Sequence, residues 1–163
     1  MIKLLLVDFD GVMSQSKFYD SYPQEYKKEF QTLFKQLFMS PESGLLDSWM
    51  RGSIKYEDLH KKIASSHTIA SVFDDALRSS VKAMQLNLEM LETIRRVHEH
   101  GTRVALFTNN MDIFDDFTVK HFNLTNYFDA IYSSSQHGKL KFEDDTLFAK
   151  AAADAEADHR VIN

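Results

Sequence analysis

An apolar run without polar alternation, Leu4-Leu5-Leu6-Val7, breaks abruptly into Asp8-Phe9-Asp10-Gly11-Val12. A short continuous apolar run suits a strand buried on both faces, and such strands belong to parallel sheets covered by helices. Open parallel sheets bind ligands in the crevice beyond the carboxyl ends of their strands. Asp8 and Asp10 are therefore expected at such a crevice, where two carboxylates one residue apart repel unless a cation or a proton is shared. That pairing suits a metal-assisted reaction in which one carboxylate attacks and the other moves a proton.

The next stretch carries no strand pattern. Residues 11–21 read as a loop, and apolar residues at helical spacing follow over 24–39 (Tyr26, Phe30, Leu33, Phe34, Leu37, Phe38). Pro41-Glu42-Ser43 fits the first turn of a second helix that runs past Trp49 and Met50 to Gly52. A third begins near Ser53 with Tyr56, Leu59, His60 and Ile63 on one side, and a fourth spans 71–84. Four helices with no strand between them predict a helical insertion.

Alternation of strand and helix then sets in. Asn87 suits the cap of a helix carrying Leu88, Leu91, Ile94 and Val97, closed by Gly101. Residues 102–107 predict a second buried strand arriving at Thr108-Asn109-Asn110, and 111–122 a helix. A third strand over 128–132 ends in Ser133-Ser134-Ser135, an Ala-rich helix covers 144–157, and 160–163 resembles the opening of a fourth strand. The fold class expected is α/β: a doubly wound parallel (Rossmann-like) sheet core, residues 1–15 and 85–163, with a four-helix insertion at 16–84.

Composition narrows the function classes. A chain of 163 residues makes one ordinary domain or a core plus a small insertion, and 44% hydrophobic content with 13 Phe can fill it. A net charge of −5 argues against a nucleic-acid footprint, which needs a basic patch. Without cysteine there is no disulfide framework, zinc-thiolate site or thiol nucleophile. The apolar run at the start is too short for a signal peptide or a membrane span, so a soluble cytoplasmic protein is expected. Nothing in the sequence speaks to the oligomeric state.

Three predicted strand ends carry polar residues: Asp8 and Asp10, Thr108 and Asn109, and Ser133 to Ser135 followed by Lys141. In a parallel sheet these ends share one edge. A carboxylate nucleophile, a hydroxyl with an amide, and an ammonium form a coherent set for phosphoryl transfer. Thr108 and Lys141 would neutralise phosphate oxygens, and Mg²⁺ would offset the charge between phosphate and Asp8.

These stretches resemble the haloacid dehalogenase (HAD) superfamily of phosphohydrolases. The hydrophobic strand with D-x-D-G-V matches at 4–12, and the strand with [S/T]-N matches at 104–109. Ser134, Gly138 and Lys141 keep the third motif's spacing, with Phe142 where proline is usual. Residues 50–59 are similar to a stretch of the helical cap found after the first motif in this superfamily. The resemblance implies that Asp8 is the nucleophile, forming an aspartyl-phosphate, and that Asp10 protonates the leaving oxygen and then activates water. Asp8 and the Asp10 carbonyl would ligate Mg²⁺, Thr108 and Asn109 would hold phosphate, and Lys141 would steady nucleophile and phosphate. The true dehalogenases lack the second acid, so its presence favours phosphate chemistry on a small-molecule phosphate ester, a sugar phosphate being the expected kind.

One motif departs. The fourth normally follows a strand with one or two Asp that complete the Mg²⁺ shell, and Val161-Ile162-Asn163 aligns with that strand before any acid appears. One anionic ligand short of the oxygen ligation Mg²⁺ prefers, weak metal binding and low activity are expected. Two alternatives stay open: a non-catalytic interaction module of the same fold, and a sugar phosphomutase sharing the first three motifs.

Plainer readings apply elsewhere. Lys139 competes with Lys141, but the spacing from Gly138 favours Lys141. The seven His show no ligand spacing and read as surface or boundary residues. Phe30, Phe34 and Phe38 read as core. Asp74-Asp75, Asp115-Asp116 and Asp144-Asp145 read as solvated helix faces or first turns, and Asp112 is not expected at the metal. Lys17, Tyr19 and Tyr22, just past the first motif, are secondary candidates for substrate contact.

Overall fold

The computed structural model describes residues 3–18, 24–37, 40, 44–64 and 68–159. Three parallel strands, β1 (Leu4–Val7), β2 (Arg103–Thr108) and β3 (Ala130–Ser133), lie in that order across the sheet. Val7 is level with Leu106, and Thr108 with Ser133, so all three strands deliver their carboxyl ends to one edge.

Both faces of the sheet are apolar, as continuous strand runs require. Side chains alternate: Leu5, Val7, Val104, Leu106 and Ile131 point to one face, and Leu4, Leu6, Ala105, Phe107 and Tyr132 to the other. The second face is covered by one long helix through Leu147, Phe148 and Ala151. The first face joins a larger core that runs without a break into the helical stretch, taking in Phe30, Trp49, Leu59, Ile63, Phe73 and Leu77. Among the described residues no helix is long and apolar enough to cross a membrane.

The helices follow the periodicity with shifts at their ends. Between β1 and β2 come α1 (Lys27–Leu37), α2 (Leu45–Met50), α3 (Tyr56–Ala64), α4 (Phe73–Ala83) and α5 (Leu88–Glu99). A 3-10 turn, Thr68–Val72, occupies the start of the fourth predicted helix. The Asn87 side chain caps α5 by accepting from Glu89 N and Met90 N, at 3.1 and 3.2 Å, an arrangement worth about 1 kcal/mol. Asn87 also donates to Met13 O (2.7 Å) and Val12 O (3.2 Å), and Leu86 pairs with Ser14, so the chain leaves and re-enters the sheet region at one place.

Two elements differ from the sequence expectation. The helix over 112–121 contains a π turn, Phe114–Thr118, before it closes as α6 (Val119–His121). The Ser133-Ser134-Ser135 end of the third strand, read only as a polar strand end, opens a short helix, α7 (Ser134–His137), with Ser133 as its cap. The last helix, α8, spans Thr146–His159. The expected fourth strand at 160–163 lies outside the described residues, as do Tyr19, Tyr22 and Phe38.

Candidate active site

The turn after β1 is built around one carbonyl. Phe9 O accepts from the amides of Val12, Met13 and Ser14, at 3.3, 2.9 and 3.0 Å, and Gly11 N closes the turn on Ser14 O at 2.8 Å. Gly11 takes φ +81°, a left-handed conformation that costs glycine nothing. The Phe9 ring is buried against Phe114, 4.9 Å between centroids. With the odd residue anchored inward, Asp8 and Asp10 both project at the sheet edge.

Asp8 Oδ1 accepts from Phe9 N (2.8 Å), and Oδ2 accepts from Lys141 Nζ (2.5 Å). The Asp8 side chain is 37% exposed and that of Lys141 11%, so the carboxylate meets solvent while its cation is held inside. Lys141 is placed by its own backbone: Lys141 N donates to Asn109 Oδ1 (2.7 Å), tying the loop after α7 to the end of β2. Its rival Lys139 points elsewhere, to Asp144 Oδ2 (2.6 Å) and Thr146 Oγ1 (3.2 Å). Thr108 is buried, and its Oγ1 has no hydrogen-bond partner among the described residues. A buried hydroxyl without a partner is costly unless a ligand supplies one.

Asp10 is half-buried, and Oδ2 accepts from Asn110 Nδ2 at 3.1 Å. Burial pushes its carboxyl from the ordinary 3.8 up to about 6, and the neighbouring Asp8 charge adds to the rise, while Lys17, Asn110 and Lys141 pull it back. An acid with such a value can both give and take a proton near neutrality. The Asp8 carboxylate and the Asp10 main-chain carbonyl are hard oxygen donors of the kind Mg²⁺ prefers. A divalent ion beside them would offset the Asp8 charge, the lesser of the two causes that raise Asp10. Among the described residues no set of three His, Cys, Asp or Glu side chains surrounds a common point.

Asp112 is engaged away from this edge: Oδ1 accepts from Trp49 Nε1 (2.6 Å) and Oδ2 from Tyr56 N (3.0 Å). Asp115 stands in the first turn of the π segment, one of the two places the sequence allowed, but is turned inward and is not on a solvated face. Its Oδ2 accepts from Ser133 Oγ (2.8 Å) and Ser135 Oγ (2.5 Å), and burial raises its carboxyl above the ordinary range against those two bonds. The π turn accompanies this inward placement, because the helical period alone does not foretell it. Asn110 was singled out only as part of a polar strand end, yet it is the residue that touches Asp10. Ser134 holds Asn110 in turn, accepting from its N (2.9 Å) and donating to its O (3.1 Å). Buried polarity beside a strand end was the available signal, without the direction of the side chain. The histidines pair locally, His98 with Asp129 and His60 with Ala70 O and Asp74.

The sequence model of haloacid dehalogenase-like hydrolases matches residues 5–157. No curated protein sequence matches the chain significantly. A solved HAD family enzyme from Bacteroides thetaiotaomicron superposes with a TM-score of 0.68 at 20% identity, covering 95% of this chain and 79% of that one. The same enzyme, solved as a wild-type complex with magnesium and inorganic phosphate, gives 0.65 at 20% identity, with 96% and 80% covered. A HAD-like family hydrolase from Porphyromonas gingivalis gives 0.59 at 19% identity, with 94% and 76% covered. At these identities the likeness is one of fold.

Proposed function

Because this chain belongs to the haloacid dehalogenase-like hydrolases, we propose that it is a phosphomonoester hydrolase working through an aspartyl-phosphate on Asp8. The observation that carries the reading is the meeting of Asp8 with Lys141, 133 residues apart, at the edge where β2 ends in Thr108, whose hydroxyl has no partner among the described residues. A nucleophilic carboxylate, an ammonium and a free donor at one rim fit a tetrahedral dianion. The magnesium and phosphate bound by the Bacteroides enzyme agree with that chemistry.

In this mechanism an Asp8 oxygen attacks phosphorus, and the bond to the ester oxygen breaks as the Asp10 carboxyl donates its proton to that oxygen. Asp10, now a carboxylate, takes a proton from the water that attacks the aspartyl-phosphate. Phosphate leaves, and both acids return to their starting states. Lys141, Thr108 and Asn109 bind the phosphoryl oxygens, the Asp8–Lys141 pair keeping the nucleophile aimed. Mg²⁺, held by Asp8 and Asp10, would neutralise phosphate charge. The helices within 16–84 act as a cap that selects a small phosphorylated metabolite and excludes water.

Phosphate release from simple monoesters with Mg²⁺ present tests this reading, with Asp8→Asn abolishing it. Full activity in that variant rejects Asp8 as the nucleophile. The second reading is a phosphate-binding module without turnover, since the Asp8–Lys141 pair and the Thr108 hydroxyl could hold an anion without turning it over. It predicts saturable binding of beryllofluoride with Mg²⁺ but no released phosphate.

A further inference from the structure

We propose that Asn110 is a positioning residue that holds the Asp10 carboxyl in one orientation, with Oδ2 on the amide and Oδ1 turned toward the leaving oxygen. The inference rests on the reading of Asp10 as proton donor. Asn110 is 4% exposed, and its polar groups are committed. Nδ2 donates to Asp10 Oδ2 (3.1 Å) and Oδ1 accepts from Met111 N (3.2 Å). The backbone N and O are clamped by the single hydroxyl of the fully buried Ser134.

The orientation of this amide is fixed by chemistry. Met111 N can only donate, so the atom facing it must be the amide oxygen, which leaves the NH₂ group for Asp10. A neutral donor also suits a group that must change charge. An ammonium in that place would favour the carboxylate and resist protonation. An amide bonds Oδ2 whether Asp10 is charged or neutral, since the carbonyl oxygen of a carboxylic acid still accepts. With Oδ2 occupied by the amide, Oδ1 is the oxygen left to face the substrate. The clamp on Ser134 fixes the whole unit to the start of α7, tying the position of Asp10 to the segment that follows β3.

A pair of esters of similar size separates positioning from general damage. p-Nitrophenolate leaves without a proton, whereas the benzyl alkoxide requires one, so loss of a placed acid falls on benzyl phosphate. Asn110→Ala is expected to lower kcat/KM for benzyl phosphate at least about tenfold more than for p-nitrophenyl phosphate, with Asp10→Ala giving the same bias more strongly. Equal losses on the two esters overturn the inference. If Asp10→Ala discriminates and Asn110→Ala does not, Asn110 alone is wrong. If Asp10→Ala shows no bias, the reading of Asp10 fails and takes this one with it. Should the alanine variant not fold, the similarly sized Asn110→Leu removes the donor without adding a charge and must show the same bias. Independently of turnover, a crystal structure of either variant is expected to show the Asp10 carboxyl displaced or in more than one rotamer. A single unmoved Asp10 contradicts the proposal.

Discussion

Asp10 is where the needs of stability and those of chemistry diverge. Its carboxyl, raised from 3.8 to about 6 chiefly by burial, binds a proton more tightly in the folded chain than in the unfolded one. The stability linked to that proton is complete below the unfolded value and is lost as pH rises through about 6. Asp10→Asn removes the buried charge, so without added divalent cation it is expected to be more stable than the parent at pH 8, by about 1–3 kcal/mol. The advantage should shrink between about pH 6 and pH 4 and disappear below. Urea unfolding across that range checks it, and an advantage independent of pH contradicts the assigned environment. The places of Asp8, Asp10, Thr108 and Asn109 were legible because each ends or follows a strand run that the apolar pattern marks, and that of Lys141 because of its spacing from Gly138. Asn110 and Asp115 were not, because their roles depend on which way a side chain turns after a strand or inside a π turn.

At the scale of elements, the segment joining α2 to α3 is pressed against the strand ends. A Cβ on Gly52 would lie 2.2 Å from Ser135 O, and the backbone there has φ +66°. Gly52→Ala therefore meets both a clash with backbone and a left-handed penalty, and is expected to cost about 2–3 kcal/mol. A thermal midpoint unchanged by that substitution rejects the close approach. Arg51 Nη1 donates to Glu143 close to the same place, and Trp49 Nε1 donates to the buried Asp112. Trp49→Phe keeps an aromatic ring but leaves a carboxylate oxygen unpaired, an expected loss of about 1–3 kcal/mol in denaturant unfolding. A smaller loss shows that the carboxylate finds another donor. Helical periodicity carried the existence of α1 to α5 in the sequence, because each has a face to bury. It did not carry the contact of Gly52 with Ser135, which joins residues 83 apart through backbone alone. Nor did it mark α7, four residues long and set by the Ser133 cap rather than by any apolar stripe.

At the scale of the molecule, parallel pairing converts distance along the chain into proximity. Residues 8, 109 and 141 meet because three strands run in one direction and deliver their carboxyl ends to one edge. The doubly wound arrangement was legible from the switch between a helical stretch and strand–helix alternation. The continuity of the core between sheet face and helices was not, since periodicity marks a buried face without naming what it packs against. We propose that this shared edge turns Asp8 into a nucleophile for phosphorus. To test it, the protein is mixed with Mg²⁺ and a phosphomonoester, quenched in acid, and its modified peptides mapped by mass spectrometry. One phosphoryl group is expected on Asp8 of the parent and none in Asp8→Asn. Turnover with no phosphoryl group on Asp8, or with the group on another residue, contradicts it.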